Sequence, residues 1–333
     1  MFTQVSVNVT YLRMLIVPIG LSIEHDYPLY QSLFEPHVIA SAALLCGLLA
    51  AAIALIRRFR MFAFGLFWFL IALLPTTLVP IWDVISEHWL YLPSVGYFLA
   101  VGALIDKLLT YRDTTVRERR LVTGILLALV FLYGSATIAR NTVWRTGYSL
   151  WSDAVRKAPG KARPRMNLAK FLGESGDLEG AAEELKMALS IDPYSYEAHT
   201  NLGTIYLRKR EYDRAVEQFK LALAVFPDPF NATPMEVMNV ARAFYNMGLA
   251  YQQKGILNSA IDAYEKAIRV APGMGEAYSN MGSVYMAMGR YPEAETSFRK
   301  ALSVNPSLRF AGKNLELLEE QKRKSEVGEA PAS

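Results

Sequence analysis

The chain has 333 residues, a formal charge of +4, a hydrophobic content of 52% and one cysteine, Cys46. At roughly 150 residues per domain that length predicts about two domains. Residues 1–141 hold 10 Lys/Arg and 8 Asp/Glu, which leaves 25 and 23 for residues 142–333, so each half stands at +2 and neither has the bulk charge of a nucleic-acid binder. The lone cysteine excludes a disulfide framework and a Cys-based zinc site; four scattered histidines (His25, His37, His88, His199) with no HExxH argue against a metal enzyme, and no cofactor is expected.

The first 36 residues read as an extracytoplasmic or interfacial segment. Met1–Thr10 is uncharged and Arg13 arrives late, which is not the pattern of a secretory signal. Tyr11–Gly20 is apolar but short and interrupted by Pro18, which suits an interfacial helix or re-entrant segment. A chain that starts on the far side of a membrane without an export signal is expected to be truncated. Residues 37–141 then form a four-span membrane domain. Uncharged runs cover Val38–Ile56 (19 residues), Met61–Trp82 (22), Trp89–Ile105 (17, extendable to Leu109) and Leu121–Ala139 (19), each close to the length that crosses roughly 30 Å of hydrocarbon. Arg57, Arg58 and Arg60 separate the first two spans; Arg112, Arg117, Arg119 and Arg120 separate the last two. Short cytoplasmic loops carry the excess of Lys and Arg, so both connectors are expected inside. Asp83–His88, flanked by Trp82, Trp89 and Tyr91, is then expected outside, together with residues 1–37 and everything after Arg140.

The second half repeats. Proline recurs at Pro159, Pro193 and Pro227, 34 residues apart, and at Pro272 and Pro306, again 34 apart; the interval between the two series is 34 plus 11. That period belongs to the tetratricopeptide repeat, a pair of helices that stacks into a solenoid. With proline as position 32, positions 20 and 27 are Ala181/Ala188, Ala215/Ala222, Ala260/Ala267 and Ala294/Ala301. Position 24 is Leu185, Phe219, Tyr264 and Phe298; position 11 is Leu172, Tyr206, Tyr251 and Tyr285; position 8 is Ala169, Gly203, Gly248 and Gly282. Small residues at 8, 20 and 27 let helices approach while large ones at 11 and 24 fill the gap. Gly176, Gly255 and Gly289 at position 15 suit a left-handed helix stop, where the second repeat has Arg210. The fold class expected is all-α: multi-span transmembrane helices, then a tetratricopeptide solenoid over 142–324. It comprises a lone helix 142–159, repeats 162–195, 196–229, 241–274 and 275–308, a capping helix 307–324 and a disordered tail 325–333. The insertion Phe230–Val240 should lengthen the following helix, because Thr233-Pro234-Met235-Glu236 reads as a capping box with proline at N1.

Position 6 is Asn in every full repeat: Asn167, Asn201, Asn246 and Asn280. Each amide offers an acceptor and two donors, so a ladder of them on the concave wall could hold the backbone of an extended peptide. Asn is also simply frequent at this place in such repeats. Other inward candidates are Arg163, Lys170, Thr200, Thr204, Arg208, Arg242, Tyr245, Gln252 and Ser283. No catalytic constellation appears in the repeats. In the membrane half, His25-Asp26-Tyr27 with Glu87-His88, helped by Arg13, could meet an anionic or sugar-phosphate ligand, or could be ordinary interfacial polar residues.

Tyr11-Leu12-Arg13, Pro18 and Asp26-Tyr27-Pro28, followed by Glu87-His88-Trp89-Leu90-Tyr91-Leu92-Pro93-Ser94-Val95-Gly96 and by Trp144-Arg145 before Leu150-Trp151, resemble the later membrane part of the transmembrane-and-tetratricopeptide proteins. The resemblance implies a GT-C-type glycosyltransferase similar to protein O-mannosyltransferases, which move a sugar from a polyprenyl phosphate to a protein hydroxyl on the luminal or periplasmic side. It implies Arg13, Asp26, Glu87 and His88 as lipid-phosphate or sugar contacts. Two departures matter: His88 stands where the family has Arg, and the acidic catalytic residues of the family's first extracytoplasmic loop have no counterpart, so no catalysis by this chain alone is expected. The first expectation is a multi-pass protein of a bacterial inner membrane or ER-like membrane whose solenoid captures a protein or unfolded peptide outside the cytoplasm. The alternative is the substrate-recruiting part of such a transferase, meeting a polyprenyl-phosphate sugar; a third is an assembly scaffold of the envelope.

Overall fold

A computed structural model describes residues 2–78, 85–110, 115–226 and 233–326, and among them every regular element is helical. Two compact units divide at Pro164/Arg165. The first takes in α1 (Phe2–Ile16), α2 (Pro36–Leu55), α3 (Arg60–Leu78), a single 3-10 turn Glu87–Leu90 that continues into α4 (Tyr91–Thr110), α5 (Val116–Val143) and α6 (Gly147–Lys157). Helix α6, the lone leading helix of the sequence reading, thus sits within the first unit.

Helix α1 starts at Phe2, well before the apolar stretch at Tyr11, because its polar residues find partners. Asn8 Nδ2 donates to Thr77 Oγ1 at 2.9 Å, Thr3 Oγ1 accepts from Tyr30 N at 2.9 Å, and Ser6 Oγ donates to His37 O at 3.4 Å. Helices α2, α3, the 87–110 segment and α5 are long and apolar enough to cross a membrane. They match the four expected spans, although Trp82, the expected end of the second, lies outside the described residues. None of the 28 residues of α5 is fully buried and most of its apolar surface is exposed, as in a span whose solvent is lipid. Helices α3 and α4 cross where two glycines meet: a Cβ on Gly65 would lie 2.6 Å from Gly96 O, and one on Gly96 would lie 2.5 Å from Gly65 O. With Ala100 one turn further on, this is the small-residue contact that lets membrane helices touch backbone to backbone.

The second unit continues α7 (Ala162–Ser175) into α8 (Leu178–Ile191), α9 (Tyr196–Arg208), α10 (Tyr212–Ala224), α11 (Pro234–Gln253), α12 (Leu257–Val270), α13 (Gly275–Ala287), α14 (Tyr291–Val304) and α15 (Arg309–Glu326). The first helix of each repeat stops the same way. Gly176, Gly255, Gly289 and Arg210 take positive φ, and the next residue's N–H returns to the carbonyl of position 11: Asp177 to Leu172, Glu211 to Tyr206, Ile256 to Tyr251 and Arg290 to Tyr285, all at 2.9 Å. Arg210, at φ 62, meets there a steric cost that glycine avoids. Second helices end two residues before Pro193, Pro272 and Pro306; Pro227 and residues 327–333 of the expected tail lie outside the described residues. Helix α11 begins at the Thr233/Glu236 capping box, as the insertion's sequence implies; residues 230–232 of that insertion are not described. Helix α15 buries Ala311 and Leu318 against the last repeat and leaves a charged outer face.

The core is a repeated fit of a ring against a glycine. A Cβ on Gly203, Gly248 or Gly282 would lie 2.7, 2.6 and 2.8 Å from the nearest ring carbon of Phe219, Tyr264 and Phe298. The first repeat, with the smaller Leu185, tolerates Ala169 at the same place. Gly282→Ala therefore gains about 0.5–1 kcal/mol of helix preference but suffers an overpacking cost of about 1–3 kcal/mol, and is expected to lower stability in denaturant melts of the purified chain. Adding Phe298→Leu recreates the Ala/Leu pairing, so the double variant should lose less than the sum of the singles, by about 1 kcal/mol.

Candidate functional site

Two polar regions carry the expected site residues, one in each unit. In the first unit, the chain between α1 and α2 is fastened on two sides. On one side Glu87 Oε1 accepts from Ser22 N and lies 3.4 Å from His25 Nε2, a ring nitrogen that is buried with no hydrogen-bond partner. Tyr11, 1% exposed, donates its hydroxyl to Ser86 O at 3.1 Å and accepts from Ser86 N at 3.0 Å, which fixes the turn that presents Glu87. Burial raises the Tyr11 phenol above its usual range, and the bond to Ser86 only partly opposes it. On the other side Lys157 Nζ donates to Leu21 O at 2.6 Å, Arg163 pairs with the buried Glu24, and the Asp26 carboxylate fills the space where Gly160 lacks a side chain.

Of the four lipid-phosphate candidates, Glu87 joins His25, and Asp26 faces Gly160. His88 is exposed, its Nδ1 2.6 Å from Ser86 Oγ and its ring 4.9 Å from that of Trp89. Arg13 is exposed on α1; the hydrogen bond between Tyr27 and Thr10 and, after it, the Arg13 charge oppose the rise that burial imposes on the Tyr27 phenol. No ion pair among the described residues joins these four to one another. Chemically, the arrangement offers one carboxylate beside a buried imidazole, with a free guanidinium on a neighbouring helix.

Sequence reasoning missed Asp153. It is 5% exposed and accepts from Arg140 Nη1 at 2.6 Å, Arg156 Nη2 at 2.7 Å and Lys157 Nζ at 2.7 Å. The available signal was that Asp153 is the single acid between Arg140 and Arg163 among six cations. It holds α6 against the end of α5.

In the second unit, first helices of successive repeats touch directly, α9 against α11 and α11 against α13. Asn201 is exposed and Asn246 half-buried, and neither side chain is hydrogen-bonded to a described residue. Asn280 Nδ2 donates to Tyr245 OH at 2.9 Å, one repeat earlier, and Asn167 is half-buried with its own interactions. Behind them Tyr264 donates to Gln252 Oε1 at 2.6 Å, and burial drives its phenol far above the usual range. Several other inward candidates serve the backbone. Thr200, Thr204 and Ser283 donate to carbonyls one turn back, and Arg208 Nη1 donates to Gly173 O at 2.8 Å; Lys170 and Arg242 remain exposed cations.

Burial alone would raise the Asp153 carboxyl, but hydrogen bonds from Lys157, Arg140 and Arg156 outweigh it and hold it below the usual carboxylate range. Its contribution to stability is therefore complete above an unfolded value of about 3.9 and fades as pH falls below it. Asp153→Asn leaves Arg140, 16% exposed and already with two unpartnered nitrogens, without its counter-charge. The expected cost is about 3–5 kcal/mol at neutral pH, with less acid-induced loss below about pH 4 than in the parent, read from melts across that range.

The comparisons with known proteins fall on the repeats. The tetratricopeptide repeat model matches residues 241–274 and 275–308, and a second tetratricopeptide model matches 172–232. Protein O-mannosyl-transferase Tmtc3 of Drosophila melanogaster is 29% identical over 162 residues, 48% of this chain and 17% of that protein. Protein O-mannosyl-transferase Tmtc2 of the same organism is 36% identical over 118 residues, 35% of this chain and 12% of that protein. The chain thus spans about a fifth or less of the length of these curated relatives. A crystal structure of MamA is 30% identical, covering 48% of this chain and 86% of that one, with a TM-score of 0.42. The chain thus carries tetratricopeptide repeats over residues 172–232 and 241–308 and, over part of its length, is similar to the TMTC protein O-mannosyl-transferases.

Proposed function

We propose that the protein is a membrane-anchored tetratricopeptide module that holds its solenoid outside the cytoplasm and captures an extended polypeptide along the first-helix wall. The observation that carries this reading is the unspent hydrogen-bonding capacity of Asn201 and Asn246 at equivalent positions of consecutive repeats. An amide free of internal partners can exchange water for peptide backbone at no cost to the fold, and like amides at equivalent repeat positions suit backbone rather than side-chain recognition. The orientation rests on the arginines at 57–60 and 117–120, at one end of the spans, with an even number of spans returning the chain to the other side.

A second reading is favoured by the relatives. In it the same wall recruits protein substrate for a polyprenyl-phosphate-sugar-dependent O-glycosyltransferase, and the Glu87–His25 region with Asp26, Arg13 and His88 meets the lipid carrier. Cross-linking of a photoreactive polyprenyl-phosphate analogue to the 22–26 or 86–89 segment supports this reading, and its absence removes it.

For the first reading the probe is a reduced, carboxymethylated and therefore permanently unfolded polypeptide, titrated onto the detergent-solubilised chain. Joint replacement of Asn201 and Asn246 by Ala removes about 1 kcal/mol per site, so Kd should rise about 30-fold. Asn280→Ala is unsuitable, because it also strips Tyr245 of its partner. Unchanged affinity in the double variant removes the ladder as the binding element.

A further inference from the structure

At the end of the spans remote from Glu87, we propose a binding site for an anionic phospholipid of the adjoining leaflet. Helix α2 ends at Leu55 and α3 begins at Arg60, and the tight connection between them lies beside the last turns of α4. Between these parts is an open groove of about 650 Å³, within the size range of small-molecule sites. One rim carries Arg57, Arg58 and Arg60, all exposed, none in an ion pair with a described residue; Asp106 is the one acid lining the groove, so its net charge is +2. Three guanidinium groups within four residues repel one another until an anion is shared between them, and their planar forks match phosphate oxygens.

The wall below the rim is apolar. Phe98, 60% exposed, stands two turns before Asp106, and between them Gly102 leaves a notch in which a Cβ would meet no atom within 4 Å. The notch thus runs about 12 Å from the charged rim toward the middle of α4. A free phosphate needs only the arginines. A groove that is cationic at the water boundary and apolar along the depth of the bilayer fits a headgroup phosphate with the start of an acyl chain. This site is independent of the peptide wall and of the Glu87 region.

The test uses the full chain in nanodiscs containing equal amounts of phosphatidylglycerol and phosphatidylcholine, with retained lipid counted by native mass spectrometry. Phosphatidylglycerol should be retained in preference to phosphatidylcholine. Joint substitution of Arg57, Arg58 and Arg60 by Ala should lower its retention about 100-fold, the equivalent of about 1 kcal/mol per charge. Because loss of arginines can also invert insertion, Gly102→Leu provides the second arm: it keeps every charge, adds its side chain in open space and fills the notch, and should lower retention about tenfold. Equal retention of the two lipids by the parent, or parent-like retention by Gly102→Leu, would overturn the proposal. So would displacement of the lipid by soluble glycerophosphate at equal concentration, which would mark a plain anion site.

Discussion

A contact with no room for a methyl group governs this protein. In three repeats a glycine of the first helix lies flat against the aromatic ring of the second, and in the membrane half Gly65 and Gly96 bring two backbones together in the same manner. In the solenoid the ring supplies buried apolar area and the glycine supplies the close approach, so the pair sets interhelical distance in these three repeats. Two residues before the glycine stands the position 6 asparagine, and four residues before the ring stands the alanine against which the helices close. The asparagine thus keeps one place relative to the packing pair in those three repeats, although its exposure and partners differ from repeat to repeat.

Charge burial organises the first unit. Glu24, Asp153 and the half-buried Glu87 lie on three different segments: Arg163 holds Glu24, Arg140 of α5 joins Arg156 and Lys157 of α6 in holding Asp153, and Ser22 N donates to Glu87. Removing carboxylates from water is costly unless every lone pair is engaged, and here most of the partners are cations or backbone N–H groups. The result is that the segment between α1 and α2, which lacks regular structure over most of its length, is held from both sides. His25 is the exception: its buried Nε2 has the Glu87 oxygen near but not aligned.

Local rules made much of this legible in the sequence. Proline spacing, the alanines at 20 and 27, the glycine stops and the Thr233–Glu236 cap each act within a few residues, so the repeats and their helix ends could be written down in advance. The spans were legible because lipid imposes length and polarity together. What escaped was long-range or conditional. Glu24 meets Arg163 from 139 positions away, and Asp153 reads as an ordinary exposed helix charge until α5 folds back against it. Helix α1 could not be extended to Phe2 without knowing that Tyr30, His37 and Thr77 would satisfy Thr3, Ser6 and Asn8. Within the asparagine ladder the sequence marked four equivalent residues, but only coordinates distinguish Asn280, already spent on Tyr245, from Asn201 and Asn246.

The account depends on one shared surface: the segment around Ser22, the turn at Glu87 and helix α6 must lie on the same, outer side, with the arginine connector at 57–60 on the other. Replacing Cys46 by Ser and placing single cysteines at Gln31, exposed in the segment between α1 and α2, at Ser149 or at Arg58 allows labelling by a membrane-impermeant maleimide in sealed right-side-out vesicles. Gln31→Cys and Ser149→Cys should label from outside, while Arg58→Cys should label only after permeabilisation. Labelling of Arg58→Cys from outside, or protection of either of the other two, would contradict it.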